Sequence, residues 1–482
     1  MNDKRAIFIN TTWQIIFRVI TLAVTLISVK LLANYLGKTG VGEYNTITTY
    51  VNFFIVIAEL GLFATTVREI SKHPENEQRI LSNVFTIRLV SALLTCVLAI
   101  GLILIGHSYY AKYNINSDIV FGVVIASGFL LFNLLWSIYD MVLQHRLKMQ
   151  FSALSEFLGK LISIGALALV IIFRGNFLIV VSTITIGALS TFLIKWLFAR
   201  RFAKFSFAFD PDFANRLLRI SIPFGIVFVL NGLYFKLDTL MLYPMKGPDA
   251  VGIYSIAYKV LEVVAFFGSY FASSLKPIIS REIVSDKKHV TNIINQAVPI
   301  MIFMALPITI VCVVFSREII TLVSNATFVD GAAAQNILAF TLPFIYLDVL
   351  LSEVLIANDN RRLLLGISGF ILLFNLAFNI IAIPRYSYIG AAWGTLVSEI
   401  VLFLIYFYFT KKIIAHRLDW AKIMKIILVS AMTFGLGYIL KTLDINFLFL
   451  VVLTLAGYAI FSYLLQILKI STVRELLRPE AN

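Results

Sequence analysis

This chain has little charge. Only 14% of its 482 residues are Asp, Glu, Lys or Arg and 60% are apolar, which excludes an ordinary water-soluble domain and places the chain in a bilayer. Cysteine is almost missing. Cys96 and Cys312 both lie inside apolar runs, with no Cys-x-x-Cys spacing and no histidine partner, so a disulfide framework and a thiolate metal site are excluded. Long polar loops are missing as well: the largest expected outer loop, Ser316 to Asn336, has about twenty residues, far short of a soluble catalytic domain. Gly37-Lys38-Thr39 resembles the end of a phosphate-binding loop, but Leu32 stands where the first glycine is required, and ATP hydrolysis is excluded with it. Met1 to Arg5 precede an apolar run that is too long for a signal peptide and lacks a small-residue cleavage pattern, so the run is expected to stay as the first helix. With no catalytic, metal-ligating or cofactor-binding set in view, the expectation is a protein that is not an enzyme.

What is present is a series of apolar runs. About fourteen segments of roughly 18 to 26 residues, from Ile7 to Leu32 through Phe447 to Leu468, are each long enough to cross ~30 Å of hydrocarbon as a helix. An even number returns both termini to one side, and the basic residues say which. Arg200, Arg201 and Lys204 follow the sixth segment and Lys411, Lys412 and Lys422 the twelfth, whereas the opposite loops hold one cation each, such as Lys38, Arg174 and Lys246. By the positive-inside rule both termini are cytoplasmic. The net charge of +14 is therefore a topology signal and an attraction to anionic membrane lipid, and nucleic acid is not an expected partner.

The chain also repeats itself. Val41-Gly42-Glu43-Tyr44 and Val251-Gly252-Ile253-Tyr254 lie about 210 residues apart, each in a polar turn that leads into an apolar run. Leu143-Gln144-His145-Arg146 and Leu355-Ile356-Ala357-Asn358 form a weaker pair at a similar offset. The expected organisation is all-α, with a first lobe of six helices over 1–200, a cytoplasmic interfacial linker over 201–219, a second six-helix lobe over 220–412, and an accessory hairpin and tail over 413–482. Both lobes start inside, so the repeats run parallel, an arrangement that in membrane proteins points to transport.

Polar residues inside the spans mark where a cargo would pass. Thr11, Gln14, Arg18, Thr21 and Thr25 recur at spacings of three and four on one face of the first segment, and Asn45, Thr48, Asn52 and Glu59 do so in the second. Such stripes avoid lipid and face protein or water. Six cations fall within spans: Arg18, Lys30, Arg88, Lys160, Lys236 and Lys259. Each costs roughly 2.5 to 3.5 kcal/mol near the bilayer centre. Arg18 and Arg88 lack a partner on their own helix and are the candidates for binding an anion, with Lys236 beside them. Lys160 and Lys259 have Glu156 and Glu262 four and three residues away, so local pairing is expected for both. Lys236 and Asp238 are about 200° apart on their helix and cannot both face one cleft. Glu59, Glu262 and Glu399 are the candidate coupling acids, and Asn375 and Asn379 are expected as helix-packing contacts.

These motifs, in order and spacing, resemble a polysaccharide-transporter flippase of the Wzx type, in the MOP exporter superfamily that also holds multidrug MATE exporters and the lipid II flippase. The resemblance runs over helices one to twelve and is carried by Leu36-Gly37 to Gly42-Glu43-Tyr44, Glu59-Leu60-Gly61-Leu62 with Arg68-Glu69, Asp238 ahead of Val251-Gly252-Ile253-Tyr254, and Pro384 before Gly390-Ala391-Ala392. Glu59 departs from the family, where Asp is commoner. The resemblance implies a MATE-like fold whose helices one, two, seven and eight line a cleft. It also implies a cargo of undecaprenyl-diphosphate-linked oligosaccharide, such as an O-antigen, capsule or exopolysaccharide repeat unit, moved to the outer leaflet of the bacterial cytoplasmic membrane by alternating access. Arg18, Arg88 and Lys236 would hold the diphosphate, stripe residues and Lys259 would line the path, and polysaccharide-assembly proteins would be partners. The alternatives are ion-coupled export of organic cations and lipid II flipping.

Overall fold

The computed structural model describes residues 3–109, 116–203, 205–443 and 445–467. Among these the chain is helical and holds no strand, so the all-α expectation stands. The helices are α1 (Asp3–Glu59), α2 (Leu62–Lys72), α3 (Glu77–Tyr109), α4 (Ser117–His145), α5 (Met149–Ile172), α6 (Phe177–Ala199), α7 (Pro211–Lys246), α8 (Pro248–Glu282), α9 (Lys287–Val314), α10 (Ser316–Val323), α11 (Gly331–Ala339), α12 (Leu342–Ala357), α13 (Arg361–Ile413), α14 (Trp420–Lys441) and α15 (Phe447–Leu464). Several starts are written in the sequence as Asn or Asp. The side chains of Asn116, Asn176 and Asn360 accept from the backbone N–H three residues on, satisfying a donor that the helix leaves open.

Eleven helices among the described residues are long and apolar enough to cross a membrane, or twelve when α11 and α12, bent by 42°, are taken as one span. The expected fourteen is not established. Two of the eleven, Trp13–Lys72 and Arg362–Ile413, each carry two of the expected segments. In both, helix runs into helix across a kink instead of a loop: Gly37 sits at φ 65 in α1 and Ser387 at φ 53 in α13. Glycine adopts such angles freely, whereas Ser387 carries strain. At the α11–α12 bend the Thr309 hydroxyl of α9 donates to the Ala339 carbonyl at 3.2 Å, covering an acceptor that the bend frees.

The described residues group into two compact units, one within 1–255 together with 323–325, the other within 256–322 and 326–482. Inside the first unit the repeated motifs meet each other. A side chain on Gly42 would run into the Pro248 backbone, and one on Gly252 would run into the Lys38 carbonyl, so each repeat's glycine admits the backbone of the other repeat's turn. The Thr39 hydroxyl donates to Asp249 at 2.6 Å across the same contact, and Tyr254 donates to the buried Asp238 at 2.8 Å. The two motifs thus form a packing contact with each other.

The stretch before α7 is strapped to α3. Backbone N–H groups of Ser206, Ala208 and Asp210 donate in turn to Ser82, Thr86 and Asn83, and Arg79 pairs with Asp210 at 2.6 Å. Beneath it lies an apolar cluster that includes Ile80, Leu81, Val84, Met141, Val142 and Phe213. In the second unit the hairpin of α14 and α15 docks on α9, with Tyr458 donating to the Phe303 carbonyl at 3.0 Å and Lys441 to the Val314 carbonyl at 2.6 Å.

Candidate functional site

A buried charge cluster of the first unit is assembled by close approach of α5 and α6. Gly159 of α5 lies against Thr191 and the Gly187 carbonyl, and Gly187 of α6 lies against Ser163, with no room for a Cβ at either position. One turn before Gly159 is Glu156; two turns after Gly187 is Lys195. Their contact therefore follows from two glycines that let the backbones meet. Lys195 belongs to a buried face of α6 with Thr183, Gly187 and Thr191, spaced every four residues.

Lys195 has no exposure at all, and three groups hold its ammonium. Asp140 of α4 lies at 2.7 Å, Glu156 at 3.0 Å, and the Trp136 ring has its centroid 5.0 Å away. Asp140 also accepts from the Ser152 hydroxyl at 2.6 Å. Glu156 turns its other oxygen to Arg18 of α1, at 3.5 Å. Arg18 is the loosest member, since 53% of its side chain and 36% of that of Glu156 remain exposed. A guanidinium held by one long bridge keeps donors free for another anion, and its planar fork matches a phosphate.

Local pairing of Glu156 with Lys160 is corrected by this geometry. The ion pairs of Glu156 reach across helices, to Arg18 and Lys195, because the glycine-mediated approach of α6 brings a second cation closer than a helical turn allows. Lys195 was missing from the expected set of intramembrane cations. Its four-residue spacing with Thr183, Gly187 and Thr191 was the signal that marks it.

Arg88 is built differently. Fully buried, it donates from Nη2 to Glu59 at 2.7 Å, while its Nε and Nη1 find no hydrogen-bond partner. Glu59 also accepts from the Phe63 N–H at 3.2 Å, so one carboxylate caps the start of α2 and neutralises a cation of α3. Between α1 and α2 the chain breaks at Leu60 and Gly61, both at positive φ, and the Leu60 backbone fills the space a side chain on Gly225 of α7 would need. The Glu59-Leu60-Gly61-Leu62 motif is thus a helix break braced by Arg88. With no exposure, Arg88 is not open to a ligand in this conformation.

The remaining candidates are scattered over both units. The side chain of Thr11 lies outside the described residues. Thr21 and Thr25 donate to the carbonyls of Phe17 and Thr21, and Asn45, Thr48 and Asn52 to those of Val41, Asn45 and Thr48. Each of the five thus makes a hydrogen bond within α1 itself, and all five side chains are half-buried. Gln14 is half-buried too. In α7, Asp238 is buried and accepts from Tyr254, and Lys236 is half-buried. In the second unit Lys259 pairs with Glu262, the local pairing expected for it. Glu399 of α13 is buried and faces the buried Asp348 of α12, a juxtaposition of two acids the sequence reading did not bring together. Asn379 donates to Asn375, and Asn375 to Ser398, knitting the two halves of α13.

Two family models match this chain. One, described as a polysaccharide biosynthesis protein, matches residues 7–283; the other, MatE, matches residues 223–381. The teichuronic acid biosynthesis protein TuaB of Bacillus subtilis is 22% identical over 431 residues, covering 85% of this chain and 84% of its own. A probable low-salt glycan biosynthesis flippase of Haloferax volcanii is 22% identical over 236 residues, covering 48% and 50%. Among solved structures, the lipid II flippase MurJ in an inward closed conformation superposes with a TM-score of 0.80 at 18% identity, over 96% of this chain and 99% of that one. At that identity the likeness is one of fold.

Proposed function

Because the chain belongs to the polysaccharide biosynthesis protein family within the MOP exporter superfamily, we propose that it is a flippase for lipid-linked oligosaccharide. The glycan-assembly relatives and the MurJ-like fold support that reading. In it the cargo is an undecaprenyl-diphosphate-linked repeat unit carried from the cytoplasmic to the outer leaflet by alternating access. The protein works as a transporter and not as an enzyme. The basic bias of alternate loops supports a cytoplasmic location for both termini in a bacterial cytoplasmic membrane. Polysaccharide-assembly proteins that supply and receive the repeat unit are its partners.

One observation carries the reading: Arg18 is a half-exposed guanidinium on a membrane-spanning helix, tied by a single 3.5 Å bridge. A cation in a span needs compensation, and the diphosphate of a polyprenyl carrier supplies it through charge-assisted hydrogen bonds. Arg18 is accordingly the primary headgroup ligand. Arg88 braces the α1–α2 break instead, and joins the headgroup only if that break rearranges.

The test is deletion of the gene in its native host, with lipid-linked oligosaccharide and surface polysaccharide assayed together. Loss of surface glycan, with the intermediate retained on the cytoplasmic leaflet and restored by the wild-type gene, is the expected result. Intact glycan with altered sensitivity to cationic drugs would overturn the reading in favour of MATE-like export.

A further inference from the structure

Where α13 gives way to α14, cations gather with no acid to answer them. Lys411 and Lys412 close α13, Arg417 lies in the turn that follows, and Lys422 and Lys425 fall in the first two turns of α14. Among the described residues none of these five pairs with a carboxylate. Asp419, the one acid within the stretch, accepts from the Lys422 N–H at 3.0 Å and is spent on capping α14. Lys412 has only aromatic neighbours, with the Tyr408 ring centroid at 4.3 Å. Elsewhere in the same unit the rule is pairing: Lys276 meets Glu353 and Arg281 meets Glu282. A topology signal asks for cations on this side and not for their isolation from acids. Like charges without counter-ions repel, so the fold gains from an anion supplied at this end.

The surroundings say what kind of anion fits. Both helices are long and apolar enough to cross a membrane. Leu404 and Tyr408, one turn apart on α13, are exposed, and Lys411 and Lys412 follow one turn later. On α14 the exposed stripe is Trp420, Met424, Ile427 and Leu428, with Lys425 beside it. Trp420, 65% exposed at the end of its span, sits where tryptophan marks the headgroup level. Lysine stems lie along apolar surface and deliver their charge to that same level. The turn between the helices is held in place. The Arg417 N–H donates to Asn295 of α9 at 2.8 Å, and buried His416 lies 3.0 Å from the Thr410 hydroxyl with its ring against Phe407. Residues 468–482 carry three cations and two acids, so they bring no net negative charge to offer. Exposed aromatic and aliphatic side chains continuous with the lipid-facing stripes, and beside them unanswered cations, match a molecule with acyl chains and a phosphate.

We propose that the corner of α13 and α14 is a docking surface for anionic phospholipid of the surrounding leaflet. The lipid phosphates lie against Lys411, Lys412, Arg417 and Lys425, and the acyl chains run along Tyr408, Trp420 and Met424. The site lies in the second unit, away from Arg18, and stands whatever the chain carries. Each juxtamembrane cation adds to the attraction, and because these cations are exposed the preference for anionic over zwitterionic lipid weakens with salt.

The experiment uses the purified full chain in phosphatidylcholine nanodiscs doped with a small fraction of phosphatidylglycerol or phosphatidylcholine brominated high on the acyl chain. Bromine quenches a tryptophan it touches, and subtracting the signal of Trp420→Phe isolates Trp420 from the other four tryptophans. Brominated phosphatidylglycerol is expected to quench Trp420 several-fold more than the same fraction of brominated phosphatidylcholine. Trp393, exposed near the other end of the membrane-spanning part of α13 and isolated by Trp393→Phe, is expected to show no such preference. Combining Lys411→Gln, Lys412→Gln and Lys425→Gln should bring the two lipids level at Trp420. Raising sodium chloride should do the same to the wild type, which keeps the test decisive even if the triple variant does not fold. Equal quenching by both lipids, quenching by neither, or an equal preference at Trp393 would overturn the proposal. So would a preference that survives both the triple variant and high salt. Loss of the preference on adding inorganic phosphate, but not chloride at the same ionic strength, would assign the cations to a soluble phosphate instead.

Discussion

Arg88 and Lys195 are both cations with no exposure in the first unit, and they differ in how many acids attend them. Arg88 has one carboxylate, Glu59; Lys195 has two, Asp140 and Glu156. One buried cation with one acid is a closed account: it braces the break at Leu60 and Gly61. One buried cation with two acids is over-supplied with negative charge, and the excess is met from outside by Arg18. On the function proposed for Arg18, the number of acids separates a fixed brace from a cluster with an exchangeable member, although the two sites look alike as lone charges in apolar runs.

The sharpest way to break this contrast is to remove an acid from each site. Glu59→Ala leaves Arg88 buried with no acceptor, and the expected loss is about 3–5 kcal/mol of stability, read as a lowered unfolding temperature in detergent or as lost membrane expression. Asp140→Asn leaves Lys195 with Glu156 and is expected to lose less than half as much. Equal losses would erase the distinction.

A second test acts on the geometry that builds the larger cluster. Gly159→Ala places a methyl group against Thr191 and the Gly187 carbonyl, pushing α5 and α6 apart and lengthening the Glu156–Lys195 contact. The expected cost is about 1–3 kcal/mol. Adding Thr191→Ala should recover part of it by removing the side chain that is met first. A double variant no more stable than the single would show that Thr191 is not the obstacle.

The smallest effect belongs to an ion pair outside the spans. The Phe213 N–H and the Arg79 guanidinium hold the Asp210 carboxyl below the usual carboxylate range. A depressed carboxylate contributes stability that is present above its unfolded value and is lost as pH falls through the folded one. Acidification below the usual Asp range should therefore loosen the strap between the linker and α3. Because the Arg79 side chain is exposed and that of Asp210 only half-buried, the effect is small and weakens with salt. Hydrogen exchange at the Ser206, Ala208 and Asp210 amides measures it; protection that does not change between neutral and acidic pH would contradict the assignment.

Much of this was legible in the chain. The apolar runs located the helices, because hydrophobic length is a local property, and the repeated Val-Gly-x-Tyr turns marked two segments that pack on each other. The kinks at Gly37 and Ser387 were not legible as continuous helix, since a polar turn reads the same whether the chain loops or bends. Partner choice was the harder question. Sequence distance offers Lys160 to Glu156, one turn away, while the fold offers Lys195 through two facing glycines. Lys259 and Glu262 show the opposite outcome, where the local pair forms. Helix periodicity places a residue on a face, and only the packing of helices decides what that face meets.

The central claim is that Arg18 is an exchangeable cation for the headgroup and not a strut of the fold. Its most direct measurement compares wild type and Arg18→Ala, reconstituted in equal amounts into vesicles, for translocation of a polyprenyl-diphosphate-linked oligosaccharide between leaflets. The bridge from Arg18 to Glu156 is long and half-exposed and contributes about 0–1 kcal/mol, so the unfolding temperature should barely move. Translocation should fall to the level of protein-free vesicles. A folded Arg18→Ala protein that translocates at the wild-type rate would contradict the account.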